Sequence, residues 1–558
     1  MSPTDRSEGT TSSAVIEHDD RVAVAMKEES PSDTLIERLC GMKRRVNSSS
    51  DGQSRYFGPT SSLHLTETPS SISSYSHNLT SNDIDVEHGI PEALQHHALD
   101  MYWNYQHSVL PIVHREAFLN GMETGRGPYF SRCLFLCILA SGARISSHPA
   151  IRKLAIPSED DDKNDRRPLM KQAEDALEKE ITNPGITTIQ SLLLLSVMYC
   201  IQSNDSKGWM LSGNACRLVF DLGLHQDWTY LSTMKLTPID VEVRQVVFWG
   251  CFNLDRLWAL YLGRPPFIKL IDVSIRRPDM RAPTWDMRIF AAWVHLLDIA
   301  GQIADKLNTN ACTQGQIDHY SDALQQWYNS LDPTVQFDPK ASTATYHLHL
   351  QYSAMTILVN RHNAGFGSPE KRNYPDTTRS REQCLHHAFR IARILQDYRT
   401  QHGDTSTMLG SALYNTTMAA TTLVAEVSET RKDGASEEML CLMICLRTMK
   451  EMEHTEIVAK NVYNIVQTIM RVCNVHDVNL DLDLFFTNGM SPPLPRIESP
   501  VAQYDPTATM GLNQTTLAMW PAFDFEGIDM GAAFPFAFEQ PVLTQEHPGV
   551  LPPMDSYM

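Results

Sequence analysis

The most chemically suggestive run in this sequence is Glu159-Asp160-Asp161-Asp162, four carboxylates in succession. Clustered carboxylate oxygens can hold magnesium against a diphosphate, which would make the chain a magnesium-dependent helical enzyme. The run, however, sits in a polar stretch continued by Lys163, Arg166, Arg167 and Pro168, and no second magnesium motif appears. It reads as a solvated loop. The pairs Cys133/Cys137 and Cys441/Cys445 are spaced at i and i+4 on stretches of helical pattern, so each pair faces one way. A zinc site would require those helices to meet, and the spacing is not finger-like, so both pairs read as core thiols. His96-His97, His347/His349 and His386-His387 lack the HExxH form and a carboxylate at ligand spacing. They read as surface or hydrogen-bonded histidines. No phosphate-cradling glycine loop and no nucleophile turn appears in a convincing context. No catalytic, cofactor-binding or metal residue is assigned, and the chain reads as a non-enzyme.

Chemically unusual side chains remain on apolar stretches: Arg217, Asp255, Arg256 and Arg264. Buried charges need partners, so structural ion pairing is expected of them. The stretch that must position most of them runs from Thr237 to Pro266 and carries both ends of a helix in its own letters. Thr237 is an N-cap, Pro238 suits the first helical position, and Asp240 puts negative charge in the first turn. Val243, Val247, Cys251, Leu254, Trp258 and Leu262 recur at helical spacing on one face. Gly263 can take the left-handed closing conformation, and Pro265 and Pro266 forbid continuation. So apolar a face belongs inside an assembly of helices.

The rest of the chain reads the same way. Helical pattern covers Phe130 to Ala140, Trp209 to Leu222, Met287 to Leu307, Ile317 to Leu331, Thr345 to His362, Glu382 to Tyr398, Gly410 to Val427 and Glu437 to Cys473. Thr187 with Gln190 reads as a capping box before the apolar run at 191–200, and Gly208, Gly213 and Ala215 leave room for close helix approach. Alternation of the strand type is scarce, so the fold class is all-α. With 42% hydrophobic residues the chain can bury a large core, and a net charge of −19 argues against wrapping nucleic acid. No apolar run reaches membrane-spanning length and the start carries no secretory signal, so most of the 11 cysteines are expected to stay reduced. Residues 1–54 are Ser-, Thr- and acid-rich and expected to be disordered, with one short amphipathic helix, Ile36, Leu39 and Met42 beside the basic Lys43-Arg44-Arg45. Arg55-Tyr56-Phe57-Gly58-Pro59-Thr60-Ser61-Ser62 reads as a turn. A helical body is expected over 55–480 and a disordered acidic-aromatic tail over 481–558. Beyond Arg496 there is no Lys or Arg, while Trp520, Phe523, Phe525, Phe534, Phe536 and Phe538 stand among acidic residues. Such a composition suits an activation segment that orders on docking into a coactivator groove.

Several of these stretches share a residue order with one family. Glu242, Arg244, Phe248-Trp249, Asp255-Arg256 and Gly263-Arg264-Pro265 resemble the central helix of the fungal-specific transcription-factor regulatory domain, the middle homology region. Gln190, Trp209, Gly213, Arg217, Asp221, Gly223 and His225 fit its "Q-x-L-L-L … W … G-x-A-x-R … D-L-G-L-H" run, the most specific likeness in the chain. Pro111-Ile112-Val113-His114 with Phe118, and Tyr56-x-Gly58-x-x-Ser61, resemble two further family elements, the last chiefly in the xylanolytic-activator and nitrate-assimilation-regulator type. The resemblance implies a large all-helical regulatory domain in a nuclear protein controlling RNA polymerase II transcription, often of metabolic or secondary-metabolite biosynthetic genes. It implies coactivator partners, no membrane, and a homo- or heterodimer with a zinc-cluster regulator. It also allows an effector pocket near Asp255, Arg256, Arg217 and Arg264. In the family this region accompanies a binuclear six-cysteine zinc cluster that reads DNA. Upstream of Cys133 this sequence has only Cys40, so no zinc-binding or DNA-contacting residue carries over. Two expectations follow: the sequence starts after the cluster, or the regulator has lost its DNA reader and acts by binding a related regulator.

Overall fold

Ser131, Asn204, Thr237, Ser342 and Ser436 each place a side-chain oxygen on the amide three residues ahead, and a helix starts behind each. The computed structural model describes residues 36, 45–48, 54–61, 90–156, 168–227, 236–309, 313–368, 370, 374–430 and 436–475. The chain divides into two units, Met1–Ile497 and Glu498–Met558, and every described residue lies in the first.

The fold is all-α. Its helices are α1 (Glu92–Met101, continued by a π-helical turn at Tyr102–His107), α2 (Arg115–Thr124), α3 (Arg132–Ile145), α4 (Pro149–Arg152), α5 (Pro168–Glu180), α6 (Ile186–Ile201), α7 (Asp205–Asp221) and α8 (Pro238–Leu262). They continue as α9 (Trp285–Thr309), α10 (Gln314–Asn329), α11 (Thr343–Asn360), α12 (Pro375–His402), α13 (Gly410–Thr430), α14 (Glu437–Met452) and α15 (Ile457–Val472). A small antiparallel ribbon, β1 (Arg45–Ser48) and β2 (Ser54–Phe57), precedes them, with Arg45 opposite Phe57. Thus Arg45 lies in a strand rather than at a helix end, and the turn expected over 55–62 is confined to 58–61, where the Ser61 amide donates to the Gly58 carbonyl at 3.0 Å. Ile36 is helical and buried, as its spacing predicts; Leu39, Met42, Lys43 and Arg44 lie outside the described residues.

Helix α8 has the ends its letters predict. Thr237 and Asp240 form a capping box, Pro238 opens the helix, and Gly263 closes it at φ 65°. Val243, Val247, Cys251, Leu254, Trp258 and Leu262 are all buried, each worth about 1.5–3 kcal/mol by transfer for the larger side chains. α8 packs against α6, α7 and α9, while α11, buried at every position, packs against α9, α12 and α13. α11 is buried although it carries Thr343, Thr345, His347, His349, Gln351, Ser353, Thr356 and Asn360, so its polar groups must find partners inside the body. No helix among the described residues is long and apolar enough to cross a membrane.

Three local expectations fail. The helix expected over Glu437–Cys473 is two, because residues 453–456 turn to bring Glu456 inward, and the Thr455 hydroxyl bonds the Ser406 carbonyl at 2.6 Å. The box expected from Thr187 and Gln190 is not made: α6 begins two residues earlier, behind Gly185, and Thr188 Oγ1 accepts from the Gly185 amide at 2.9 Å. Gly208 does permit a close approach, since a Cβ there would lie 2.7 Å from the Ser196 carbonyl and 2.8 Å from the Trp258 ring, but one at Gly213 would meet only the tip of Arg217 at 3.4 Å.

Candidate functional site

After Gly263 the chain runs over the body as a strap of irregular backbone to Arg277, with one 3-10 turn at Leu270–Asp272. Irregular backbone over a core needs partners for its amides and carbonyls, and α8 and the loop after α7 provide them. Asp255 accepts from the Phe267 amide at 3.0 Å and from the Ile268 amide at 2.9 Å. Arg256 donates to Asp255 at 3.0 Å and to the Ile268 carbonyl at 2.7 Å, and its guanidinium lies 4.4 Å from the Phe252 ring centroid. Both side chains are buried. Burial raises the Asp255 carboxyl and lowers the Arg256 guanidinium, each opposed by the other's charge. Gly301 on α9 lies against this arginine: a Cβ there would fall 2.6 Å from Arg256 Cδ. Trp249 donates its indole N–H to the Arg276 carbonyl at 3.0 Å, and the His225 carbonyl accepts from the Ser274 and Ile275 amides at 2.9 and 3.0 Å. Arg217 stands over Phe267 and Arg264 over Trp209, with Trp209 39% exposed although its motif sits in a helical core. Trp209, Arg217, His225, Trp249, Asp255 and Arg256 therefore meet on one loop. Asp255 and Arg256 pair with each other at 3.0 Å.

The start of the strap is clasped from the other side. The Gly58 amide donates to the Leu262 carbonyl at 3.1 Å, and a Cβ on either Gly58 or Gly263 would overlap the other's backbone. Arg264 donates to the Tyr56 carbonyl at 3.2 Å, Arg361 to that of Pro59 at 2.9 Å and Tyr414 to that of Thr60 at 3.0 Å. The Thr60 amide and Asn308 pair at 3.1 Å. Two motifs far apart in sequence thus form one clasp, and the lead-in segment 58–61 is buried in it.

The remaining motif residues hold neighbouring joints. Gln190 is buried and donates to the Ile112 carbonyl at 3.0 Å, tying α6 to the segment before α2. His114 caps α2 by accepting from the Ala117 amide at 3.3 Å and faces Glu242 at 3.2 Å. Asp221 ends α7, Gly223 takes φ 64°, and Pro265 is exposed. Trp520, Phe523, Phe525, Phe534, Phe536 and Phe538 lie outside the described residues, as does the acidic run Glu159 to Asp162.

Sequence reasoning missed a set of buried ion pairs. Arg144, fully buried, donates to Glu456 at 2.7 Å and to Gln106 of the π-helical turn at 3.3 Å. Burial pushes the Glu456 carboxyl up to about 7 against the pull of Arg144 and the Gly410 amide. Arg381 pairs with Glu426 at 2.7 Å, and Arg399 with Glu451 at 2.9 Å. The one available signal was an arginine ending the otherwise apolar run of α3, and nothing local names its partner.

Cys133, Cys137, Cys441 and Cys445 are buried thiols, and burial pushes Cys441 up to about 12. His347 and His349 are buried and hydrogen-bonded, His349 to the Val335 carbonyl at 3.0 Å, and burial lowers both to about 3. His387 is also buried, and His96 does have a carboxylate neighbour, Glu92, 3.5 Å away on an exposed face. Among the described residues no group of three or more His, Cys, Asp or Glu side chains is placed to hold a metal.

Comparison with known proteins gives a consistent answer. The model of the fungal specific transcription factor domain matches residues 99–391. A transcriptional regulatory protein of Schizosaccharomyces pombe is 28% identical over 370 residues, covering 59% of this chain and 57% of that protein. The nitrogen assimilation transcription factor nirA of Emericella nidulans is 28% identical over 286 residues, 49% of this chain and 30% of its own length. The nitrogen assimilation transcription factor nit-4 of Neurospora crassa is 28% identical over 200 residues, 34% of this chain and 18% of its own. The chain spans little more than half of the first relative and less than a third of the other two.

Proposed function

The chain belongs to the fungal specific transcription factor domain family, and from that premise we propose that it regulates RNA polymerase II transcription of metabolic or secondary-metabolite biosynthetic genes in the nucleus. In this reading residues 55–480 form the regulatory domain, 1–54 a leader whose strand Arg45–Ser48 pairs with the start of that domain, and 481–558 an activation segment that recruits coactivators through Trp520, Phe523, Phe525, Phe534, Phe536 and Phe538. The observation that carries it is the family match together with the meeting of the motif residues Trp209, Arg217, His225, Trp249, Asp255 and Arg256 on one clasped strap. Acidic residues keep such aromatics solvated until a partner groove takes them, which supports the assignment of the tail. DNA contact and zinc belong to a six-cysteine cluster, which the residues before Cys133 do not supply.

A second reading is that the chain binds a related zinc-cluster regulator in place of DNA. Two measurements separate the readings. The full chain, tethered upstream of a reporter gene in fungal cells through a heterologous DNA-binding module, is expected to raise transcription. Replacing the six tail aromatics by Ala is expected to return it to background. A reporter unmoved by the full chain rejects the activator reading. If the purified chain alone shifts promoter DNA in a mobility assay, the second reading is rejected.

A further inference from the structure

Gln351 sits near the middle of α11, 1% exposed, and neither its Nε2 nor its Oε1 has a hydrogen-bond partner among the described residues. A buried carboxamide without partners is destabilising, and native cores rarely keep one. The side chain lines a half-open cavity of about 90 Å³ between α6, α8, α11 and α13. Its apolar walls include Val197, Leu254, Trp258 and Leu413. An engineered apolar cavity of about 150 Å³ is large enough to take benzene, so this one suits a molecule of a few heavy atoms. Tyr261, Ser411 and Glu456 line the same cavity and bring further polar atoms to it.

We propose that this cavity binds a small neutral molecule presenting a hydrogen-bond donor and acceptor side by side, the class of lactams and carboxamides, to Gln351. The carboxamide of Gln351 offers an N–H and a carbonyl on one edge, so a cis-amide edge satisfies both at once. The hydrocarbon body of the ligand lies against Leu254 and Trp258. Charge is disfavoured on two grounds. Glu456 shares the lining, and Arg144, the cation nearest it, is already bonded to Glu456 and Gln106. An anion would therefore meet a carboxyl and no free cation, and a cation would meet a carboxyl already paired. Tyr414 lines the same cavity and holds the Thr60 carbonyl, so an occupant abuts the residue that anchors the lead-in clasp. The inference goes beyond the regulatory reading and does not depend on it.

The test titrates the full chain with 2-pyrrolidinone and with cyclopentanone, a ring of equal size that keeps the carbonyl and lacks the N–H, by ligand-observed NMR. The lactam is expected to bind about tenfold more tightly, since a site built for a donor rejects the analogue that lacks it. Gln351→Met, nearly equal in volume, is expected to bind both probes alike and to unfold at no lower temperature than the unliganded wild type. Equal binding of both probes by the wild type, or binding of neither, overturns the proposal. So does a Gln351→Met chain that keeps the tenfold preference. A lower unfolding temperature for that variant shows Gln351 already hydrogen-bonded in the resting protein, and overturns it too.

Discussion

Asp255→Asn changes one oxygen of a buried side chain to NH2 and leaves its shape intact. The carboxylate now takes three donors, the Phe267 and Ile268 amides and the Arg256 guanidinium. An asparagine oxygen can keep those on one side, but its NH2 then points at a backbone N–H on the other. A lost bond to a charged acceptor is worth about 1.5–3 kcal/mol. Arg256 would also lose its adjacent counter-charge, and breaking a buried pair typically costs about 3–5 kcal/mol. The two costs overlap, and Arg256 keeps its bond to the Ile268 carbonyl and feels Asp298 and Asp305. The expected loss is therefore about 3 kcal/mol, concentrated in the strap. Hydrogen exchange should show the Phe267 and Ile268 amides losing protection before the core, and urea unfolding should move to lower concentration. Adding Arg256→Met removes the stranded cation, so the double variant should be more stable than Asp255→Asn by at least about 1 kcal/mol. An Asp255→Asn chain within about 0.5 kcal/mol of wild type, with both amides as protected as before, would refute the idea that this pair holds the strap.

Two glycines of the family pattern should respond in opposite directions. Gly263→Ala strains a φ of 65° and collides with Gly58, so it is expected to cost more than about 2 kcal/mol and to expose 54–61 to limited proteolysis. Gly213→Ala, in an α-helix with space around it, is expected to raise stability by about 0.5–1 kcal/mol in thermal melts. Glu451→Gln tests a buried pair through pH. Burial acts to raise the Glu451 carboxyl, but bonds from Arg399, Thr405 and Arg447 outweigh it and hold it below 4.5. A folded value below the unfolded one gives stability that is present above about pH 4.5 and lost as pH falls through the folded value. The variant should therefore be about 3 kcal/mol less stable at neutral pH, with the gap closing in acid; a gap that stays constant to pH 3 refutes the pairing.

Much of this molecule was settled by neighbours in sequence. Caps act within one turn, and apolar spacing needs no knowledge of the partner face, so both ends of α8 and its buried row could be read from Thr237 to Pro266 directly. The all-helical class followed from the same signals repeated along the chain. The family resemblance likewise rested on residues a few positions apart. Tertiary structure alone decided where those residues point. Gln190 left its expected capping role because Ile112 offered a buried carbonyl, and Trp209, in a motif that reads as core, came to lie under Arg264 at the surface. The break at residues 453–456 answers to Arg144, a side chain more than half the chain away in sequence. Gly58 and Gly263 each look like ordinary loop glycines until their backbones meet. A contact between distant segments depends on which helix faces pack together, and that is fixed by the summed burial of the whole body, a quantity no short window of sequence contains.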